Sequence, residues 1–121
     1  MTKPILTVDD SLSMRMLLRA ALSDDGHAVA EAEDGMAALE WLGANEPSLV
    51  ITDINMPGLD GLGLIAELRA DARYRDIPIL VLTTESAPEK KEQARAAGAT
   101  GWILKPFDPI KLNSAVRRVI H

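Results

Sequence analysis

The alternation of two apolar patterns constrains the fold of this chain more than any other feature of its sequence. Short β-rich apolar runs alternate with segments whose apolar residues recur at helical spacing. The strand-like runs are residues 5–8, 27–31, 49–52, 77–82 and 102–104. Five β/α units in strict order predict an α/β fold with a parallel sheet and helices on both faces. We see no internal repeat and no linker that would divide the chain.

Local signals mark the ends of the intervening helices. Gly26 and Gly98 follow the first and fourth helical patterns, where a C-terminal glycine is favoured. Asp60 and Asp108 can cap the third and fifth helices, and Pro88 can begin the fourth, where a missing N–H costs little. The first helix should present one apolar face, made of Met14, Leu17, Leu18, Ala21 and Leu22.

Length and composition bound the class of protein. The 121 residues suit one domain, 1–121, and contain 47% hydrophobic and 26% charged residues. The absence of cysteine excludes disulfides and thiolate metal sites. The net charge of −5 argues against nucleic acid as a direct partner. We find no signal peptide and no apolar stretch that could span a bilayer, so we expect a cytoplasmic protein without a membrane partner.

Polar residues that could bind a ligand or react follow the predicted strands. Ligands of open parallel α/β sheets bind beyond the carboxyl ends of the strands. Three carboxylates, two hydroxyls and one ammonium group should therefore meet at one edge of the sheet. They belong to Asp9, Asp10, Asp53, Thr83, Thr84 and Lys105. Taken singly, each has a plainer interpretation, because such acids often cap helices, such threonines often lie in turns, and such lysines are often solvated.

The carboxylate cluster predicts a magnesium site and a nucleophile. Three carboxylates in one pocket repel one another unless a cation is present, and Mg²⁺ takes oxygen ligands. Asp10, Asp53 and a backbone carbonyl of the following loop would serve. Carboxylates also accept phosphoryl groups, and Asp53 is the favoured acceptor because it ends the central strand. Mg²⁺, Lys105 and the Thr83 hydroxyl could each neutralise one phosphoryl oxygen.

These residues together resemble a known family signature. The segments are Asp9-Asp10, Asp53 with Met56-Pro57-Gly58, Thr83-Thr84 and Lys105-Pro106-Phe107. They resemble the receiver domains of response regulators, of the single-domain chemotaxis (CheY-like) type, over the whole chain from Lys3 onward. The resemblance implies a (βα)5 doubly wound, flavodoxin-like fold with strand order 2-1-3-4-5, the order known for CheY and flavodoxin.

The resemblance implies a role for each residue of the cluster. Asp53 matches the phosphoacceptor, and Asp10 a direct Mg²⁺ ligand. Asp9 matches an acidic neighbour in the outer shell of the metal. Asn55 falls where the family offers a backbone carbonyl to the ion, and Lys105 where a lysine pairs with the phosphoryl group.

The resemblance also implies a switch. Thr83 matches the hydroxyl that moves toward the phosphoryl group, and Trp102 the aromatic residue that turns inward with it. The Lys105–Pro106 bond is expected to be cis. Trp102 stands where Tyr or Phe is common, and Thr84 where a smaller residue is common. Thr84 is grouped with the phosphoryl-stabilising residues, although its methyl group could narrow the approach of water. Asn55 and Glu85 fall at other positions that tune dephosphorylation.

The surface of the fourth helix and fifth strand carries the output partner in relatives. Lys90, Lys91, Arg95 and Trp102 are candidates for it, although a charged run is commonly a solvated face. Arg15 and Arg19 on the first helix are either a kinase-side contact or a solvated pair. The expected partners are a histidine kinase and the flagellar motor switch, and the expected state is a monomer that could dimerise on activation.

Alternatives stay open at this level. The chain could be a phosphorelay shuttle, a phosphate sink or a cell-cycle regulator of the same class. A flavin carrier would need a hydroxyl- and glycine-rich loop after the first strand, where Asp9-Asp10-Ser11-Leu12 stands. A phosphohydrolase would want an acid two residues after the nucleophile, where Asn55 stands. We therefore expect no enzyme function beyond self-phosphorylation from small donors and slow self-hydrolysis.

Overall fold

The structure, a computed structural model, describes residues 3–120. Within that range five strands and five helices alternate along the chain. The elements are β1 (Ile5–Val8), α1 (Leu12–Asp24), β2 (Val29–Ala32), α2 (Gly35–Leu42), β3 (Leu49–Thr52), α3 (Gly61–Ala70), β4 (Ile79–Thr83), α4 (Pro88–Ala97), β5 (Gly101–Leu104) and α5 (Pro109–Val119). No helix in the described range is long and apolar enough to cross a bilayer.

The strands form one parallel sheet in the order β2-β1-β3-β4-β5, as the resemblance implied. β1 pairs with β2 on one side and with β3 on the other, so the strands after β2 are added on the opposite side of β1. β3 lies in the centre between β1 and β4. The carboxyl ends of these three strands therefore open onto the same edge of the sheet, which is the place where ligands bind in such folds.

Alternating side chains of the buried strands serve two hydrophobic clusters, one on each face of the sheet. Leu6, Val50 and Val81 belong to the cluster that also contains residues of α2, α3 and α4. Ile5 and Ile51 belong to the cluster that contains residues of α1 and α5. β1, β3 and β4 are buried along their whole lengths, which is why they read as continuous apolar runs.

Most of the predicted helix ends are confirmed. The carboxylate of Asp60 accepts the N–H of Gly63 at 2.8 Å, and that of Asp108 accepts the N–H of Ile110 at 2.8 Å. Pro88 is the first residue of α4. Gly26 and Gly98 have φ angles of +88° and +115°, in the region that favours glycine after a helix.

Two strands begin two residues later than predicted, where the backbone starts to pair with the neighbouring strand. β2 covers Val29–Ala32 rather than 27–31, and β4 covers Ile79–Thr83 rather than 77–82. The N–H of Ile77 donates to the carbonyl of Tyr74 in a turn, and Pro78 has no N–H to donate to a ladder. Pairing with β3 therefore begins at Ile79.

The predicted apolar face of α1 is narrower than its periodicity suggested. Leu18, Ala21 and Leu22 are buried, and Met14 packs at the edge of the same cluster. Leu17, predicted on this face, is 58% exposed. Leu17 lies about 100° around the helix from Leu18, the residue that points at the sheet, so it is turned outward.

Candidate functional site

Asp53 is the first residue after the central strand β3, and its side chain is held in one orientation. One carboxylate oxygen, Oδ1, accepts the backbone N–H of Ile54 at 2.6 Å and that of Asn55 at 3.2 Å. The residue is only 7% exposed. The strand thus ends by placing a buried carboxylate at the ligand-binding edge of the sheet.

Gly61 makes this arrangement possible. A Cβ atom at this position would lie 2.1 Å from the Asp53 carbonyl oxygen and 2.8 Å from the Ile54 Cα. Only a residue without a side chain allows the start of α3 to approach the loop after β3 so closely. Periodicity places no such requirement on residue 61, so this contact was missed in the sequence.

Lys105 joins the carboxylates of two neighbouring strands. It follows β5, and its Nζ donates to Asp9 Oδ2 and to Asp53 Oδ2, both at 2.7 Å. The side chains of Lys105, Asp9 and Asp53 are 10%, 2% and 8% exposed. The backbone N–H of Lys105 donates to the carbonyl of Thr83, and the Lys105–Pro106 bond is cis, as expected. The plainer interpretation of Lys105 as a solvated lysine is therefore wrong.

Charge and burial compete at this site, and charge prevails. Burial raises the pKa of Asp53, but the Lys105 ammonium, the Thr83 hydroxyl and the Asn55 N–H together lower it by more, so the pKa lies below its ordinary value. Burial lowers the pKa of Lys105, but its bonds with Asp53 and Asp9 raise it by more. Both groups are therefore charged at neutral pH, and Asp53 is ready as an anion.

Asp9, Asp10 and Asp53 form a cluster suited to a cation. One carboxylate oxygen from each lies within 4.8 Å of the others. Asp9 and Asp53 are buried, whereas Asp10 is exposed. Three carboxylates carry more negative charge than the single Lys105 ammonium balances, and oxygen donors are what Mg²⁺ prefers. The donor set therefore fits a hard divalent ion, with Asn55 exposed in the loop beside it.

The hydroxyl residues differ in position. Thr83 is the last residue of β4 rather than the residue after it, and it is fully buried. Its Oγ1 accepts the N–H of Glu85 at 3.2 Å. Thr84 is exposed. Thr83 therefore belongs to the interior of the site, whereas Thr84 lies at its solvent side.

Trp102 lies on β5 beside the groove that separates this strand from α4. Its side chain is half-buried and packs against the cluster on the α2–α3–α4 face. The groove has a volume of about 190 Å³, and Lys91, Arg95 and Trp102 are among its lining residues. Arg95 forms an ion pair with Glu92. Lys90, which precedes Lys91 in the sequence, is half-buried and is not among the residues that line the groove.

Arg15 was missed as part of the site. Its Nη1 donates to the backbone carbonyl of Asp9 at 2.6 Å, and its Nε donates to Glu31 at 3.1 Å. The interpretation of Arg15 as half of a solvated pair is wrong, because its side chain is only 14% exposed. A basic residue in the first turns of a helix that follows an acidic pair is the signal that could have indicated this contact.

Comparison with known proteins agrees with the site. The protein-family model for the response regulator receiver domain matches residues 5–117 of the sequence. Chemotaxis protein CheY1 of Helicobacter pylori is 41% identical over 118 residues, which are 96% of this chain and 95% of that protein. The structure of chemotaxis protein CheY4 of Vibrio cholerae has a TM-score of 0.93 and 40% identity, and the match covers 99% of this chain and 100% of that one.

A second similar structure concerns the metal. The receiver domain of a Pseudomonas aeruginosa sensor histidine kinase is described with a magnesium ion coordinated in the active site cleft. It has a TM-score of 0.90 and 27% identity, with 98% of each chain covered. Receiver domains are signalling domains rather than classical enzymes, and they bind Mg²⁺ in an acidic site. With the fold, the acidic cluster and these matches in agreement, the chain belongs to the response regulator receiver domain family.

Proposed function

We propose that this chain is a single-domain response regulator that accepts a phosphoryl group on Asp53 from the phosphohistidine of a histidine kinase. One observation supports this most strongly. The buried, ionised Asp53 carboxylate ends the central strand with the Lys105 ammonium at 2.7 Å and two further carboxylates within 4.8 Å. Such a carboxylate is a competent nucleophile, and the Lys105 ammonium beside it can neutralise part of the charge of an incoming phosphoryl group.

The proposed transfer converts one phosphoryl linkage into another. An oxygen of the Asp53 carboxylate forms a bond to phosphorus while the bond from phosphorus to the imidazole nitrogen of the donor breaks. The electron pair leaves with the imidazole, and an acyl phosphate remains on Asp53. The reaction needs positioning and neutralisation of the equatorial oxygens more than covalent chemistry from the protein. Lys105 supplies one positive charge while it keeps its bond to Asp9.

Asp10 and Asp53 would hold Mg²⁺ directly, together with the backbone carbonyl of Asn55. Asp9, already bonded to Lys105 at 2.7 Å, suits the outer shell. When bound, the ion supplies the additional positive charge that shields the approaching phosphoryl oxygens from the carboxylates. Its preference for a few carboxylates and several waters fits a cluster with one exposed member.

Thr83 and Trp102 would transmit the change to the surface. The Thr83 hydroxyl already acts on the Asp53 carboxylate, whose pKa it lowers. An acyl phosphate would offer this hydroxyl a stronger acceptor, and its movement would leave space next to the neighbouring strand, where Trp102 lies. Phosphorylation then acts as a population shift, and its effect is limited to the free energy by which it favours the active state.

The groove lined by Lys91, Arg95 and Trp102 is the proposed output surface, with Lys90 beside it. It combines an apolar wall with positive charge, which suits an acidic amphipathic segment of a partner. Because similar proteins are named as chemotaxis proteins, we propose the flagellar motor switch as that partner, in the cytoplasm.

Intact mass measurement tests the acceptor. The protein is incubated briefly with Mg²⁺ and acetyl phosphate, beside an Asp53→Asn variant and a sample with EDTA. We expect the mass of one phosphoryl group in the wild type with Mg²⁺ and none in either control. Phosphorylation that persists in Asp53→Asn would show that another residue is the acceptor.

Partner binding tests the chemotaxis role separately. A motor-switch peptide should bind more tightly to the phosphorylated protein than to the unmodified one, measured by the change in tryptophan fluorescence in the wild type and in a Trp41→Phe variant, in which Trp102 is the remaining tryptophan. Lack of binding in both states would refute the proposed partner but not the phosphoryl acceptor.

Thr84 is proposed to lengthen the life of the acyl phosphate. It is exposed next to buried Thr83, where its methyl group could hinder water. Thr84→Ala should therefore lose its phosphoryl group faster than the wild type. Thr84→Val, which keeps the methyl group and replaces the hydroxyl by a second methyl, should not. An equal or slower loss in Thr84→Ala would contradict this role.

A further inference from the structure

Arg15 connects the backbone of the acidic pair to the second strand, and the proposed phosphoryl transfer does not use it. Nη1 donates to the Asp9 carbonyl at 2.6 Å, while Nε donates to Glu31 Oε1 at 3.1 Å. Glu31 lies on β2 next to β1, and its side chain is 25% exposed. One guanidinium group therefore bridges a carbonyl of the site and an anchored carboxylate.

The other polar groups of Asp9 are also engaged. Its N–H donates to the Ala32 carbonyl at 3.1 Å, Oδ1 accepts the Ser11 N–H at 2.9 Å, and Oδ2 accepts Lys105 at 2.7 Å. The carbonyl that Arg15 holds belongs to the planar peptide unit that joins Asp9 to Asp10. Fixing that plane fixes where the Asp10 backbone begins, and Asp10 is the exposed member of the acidic cluster.

We propose that Arg15 is a positioning residue that orients the Asp9–Asp10 peptide so that Asp10 faces the cation site. This inference rests on the proposed function in that the acidic cluster binds Mg²⁺. Outer partners of metal ligands act in this way, by restricting the orientation of groups that touch the ion.

The positive charge of Arg15 should weaken Mg²⁺ binding, whereas its orienting hydrogen bond should strengthen it. These opposite effects make the proposal testable. A positive charge near the site repels Mg²⁺, so its removal alone would strengthen metal binding. Arg19 and Arg15 hold the pKa of Glu31 below its ordinary value, so Glu31 is ionised at neutral pH. Its negative charge balances part of the positive charge of Arg15. Weaker binding after removal of Arg15 therefore reports lost orientation rather than lost charge.

Arg19 offers a matched control. It lies one turn further along α1, its Nε donates to Glu31 Oε2 at 2.6 Å, and its Nη2 donates to the Val29 carbonyl at 3.1 Å. Its side chain is 47% exposed. Arg19→Met removes the same charge from the same carboxylate as Arg15→Met, but it leaves the bond to Asp9 in place.

The test measures the Mg²⁺ dissociation constant of the full chain by calorimetry, with thermal melting as a check of folding. We expect Arg15→Met to raise the dissociation constant about tenfold, the lower end for loss of such a partner. Arg19→Met should stay within about threefold of the wild type, as for an exposed ion pair. Arg15→Lys, which keeps a charge and a donor, should recover part of the loss.

Phosphorylation by acetyl phosphate at varied Mg²⁺ supplies a second measurement. The concentration of Mg²⁺ for half-maximal rate should rise in Arg15→Met while the rate at saturating Mg²⁺ stays near that of the wild type. Equal dissociation constants for Arg15→Met and Arg19→Met, or tighter binding in Arg15→Met, would overturn the proposal. A wild type that binds Mg²⁺ without taking a phosphoryl group would refute the proposed function, while the dissociation constants would still decide the role of Arg15.

Discussion

Replacement of Lys105 by methionine should destabilise the protein strongly at neutral pH. The change keeps most of the volume of the side chain but removes the ammonium that bonds Asp9 and Asp53 at 2.7 Å each. Removing one partner of a buried ion pair costs about 3–5 kcal/mol, because a charge is left without compensation. Two hydrogen bonds to charged groups, at about 1.5–3 kcal/mol each, give a similar sum. We expect a loss of about 3 kcal/mol or more in the free energy of unfolding at pH 7.

The pH dependence follows from the pKa of Asp53. In the wild type this pKa is lowered, so the contribution of Asp53 to stability is present above its unfolded pKa of about 3.9. That contribution is lost as the pH falls through the lower folded value. Without Lys105, burial should raise the pKa of the carboxyl instead. The variant then regains stability relative to the wild type as the pH falls and the Asp53 carboxyl becomes protonated.

Urea unfolding at pH 7 and pH 4.5, in EDTA, measures both effects, with the fluorescence of Trp41 and Trp102 as the signal. Lys111→Met is the control, because Lys111 is exposed on α5 and its loss should change stability by about 0.5 kcal/mol or less. Asp53→Asn should restore part of the stability of Lys105→Met, since it removes one uncompensated charge. A loss below about 1 kcal/mol at pH 7, the size expected of an exposed pair, would refute the argument.

Three further predictions concern close packing, a buried hydroxyl and the metal. Gly61→Ala should lower the free energy of unfolding by about 1–3 kcal/mol and slow phosphorylation, because the added Cβ meets the Asp53 backbone. Gly63→Ala is the control and should cost less, because its Cβ meets the movable end of a leucine side chain. Urea unfolding compares the two variants. Tyr74→Phe should cost about 1–3 kcal/mol in the same assay, because the buried Tyr74 hydroxyl donates to the Leu42 carbonyl. Mg²⁺ at 100 times its dissociation constant should stabilise the wild type by about 2.7 kcal/mol in thermal unfolding, and Asp53→Asn by less at the same concentration.

Much of the candidate site could be predicted because it depends on where strands end. Asp53 and Lys105 each follow a buried apolar run, and parallel strands bring their carboxyl ends to one edge. The structure places both side chains there with Asp9, in direct contact. The roles of Asp53 as acceptor, Asp10 as metal ligand and Trp102 as switch stay predictions, as does the extent of the domain over 1–121, of which residues 1, 2 and 121 lie outside the described range.

Other features could not be predicted because they depend on how separate elements pack against one another. The exposure of Leu17 and the start of β4 at Ile79 depend on how α1 and a turn meet the sheet. The close approach at Gly61 depends on how α3 packs on the loop after β3. A periodic pattern describes one element at a time and carries no information on such approaches.

The sequence by itself determined the order of strands and helices, the helix caps and the set of acids, hydroxyls and lysine at one edge, because these follow from local spacing and from the direction of parallel strands. The tertiary structure alone decided that Lys105 bonds two carboxylates, and that Arg15 holds the carbonyl of Asp9. Those contacts depend on side-chain direction across neighbouring elements, which local spacing does not specify, and at Asp53 the Lys105 charge and several hydrogen bonds together outweigh burial.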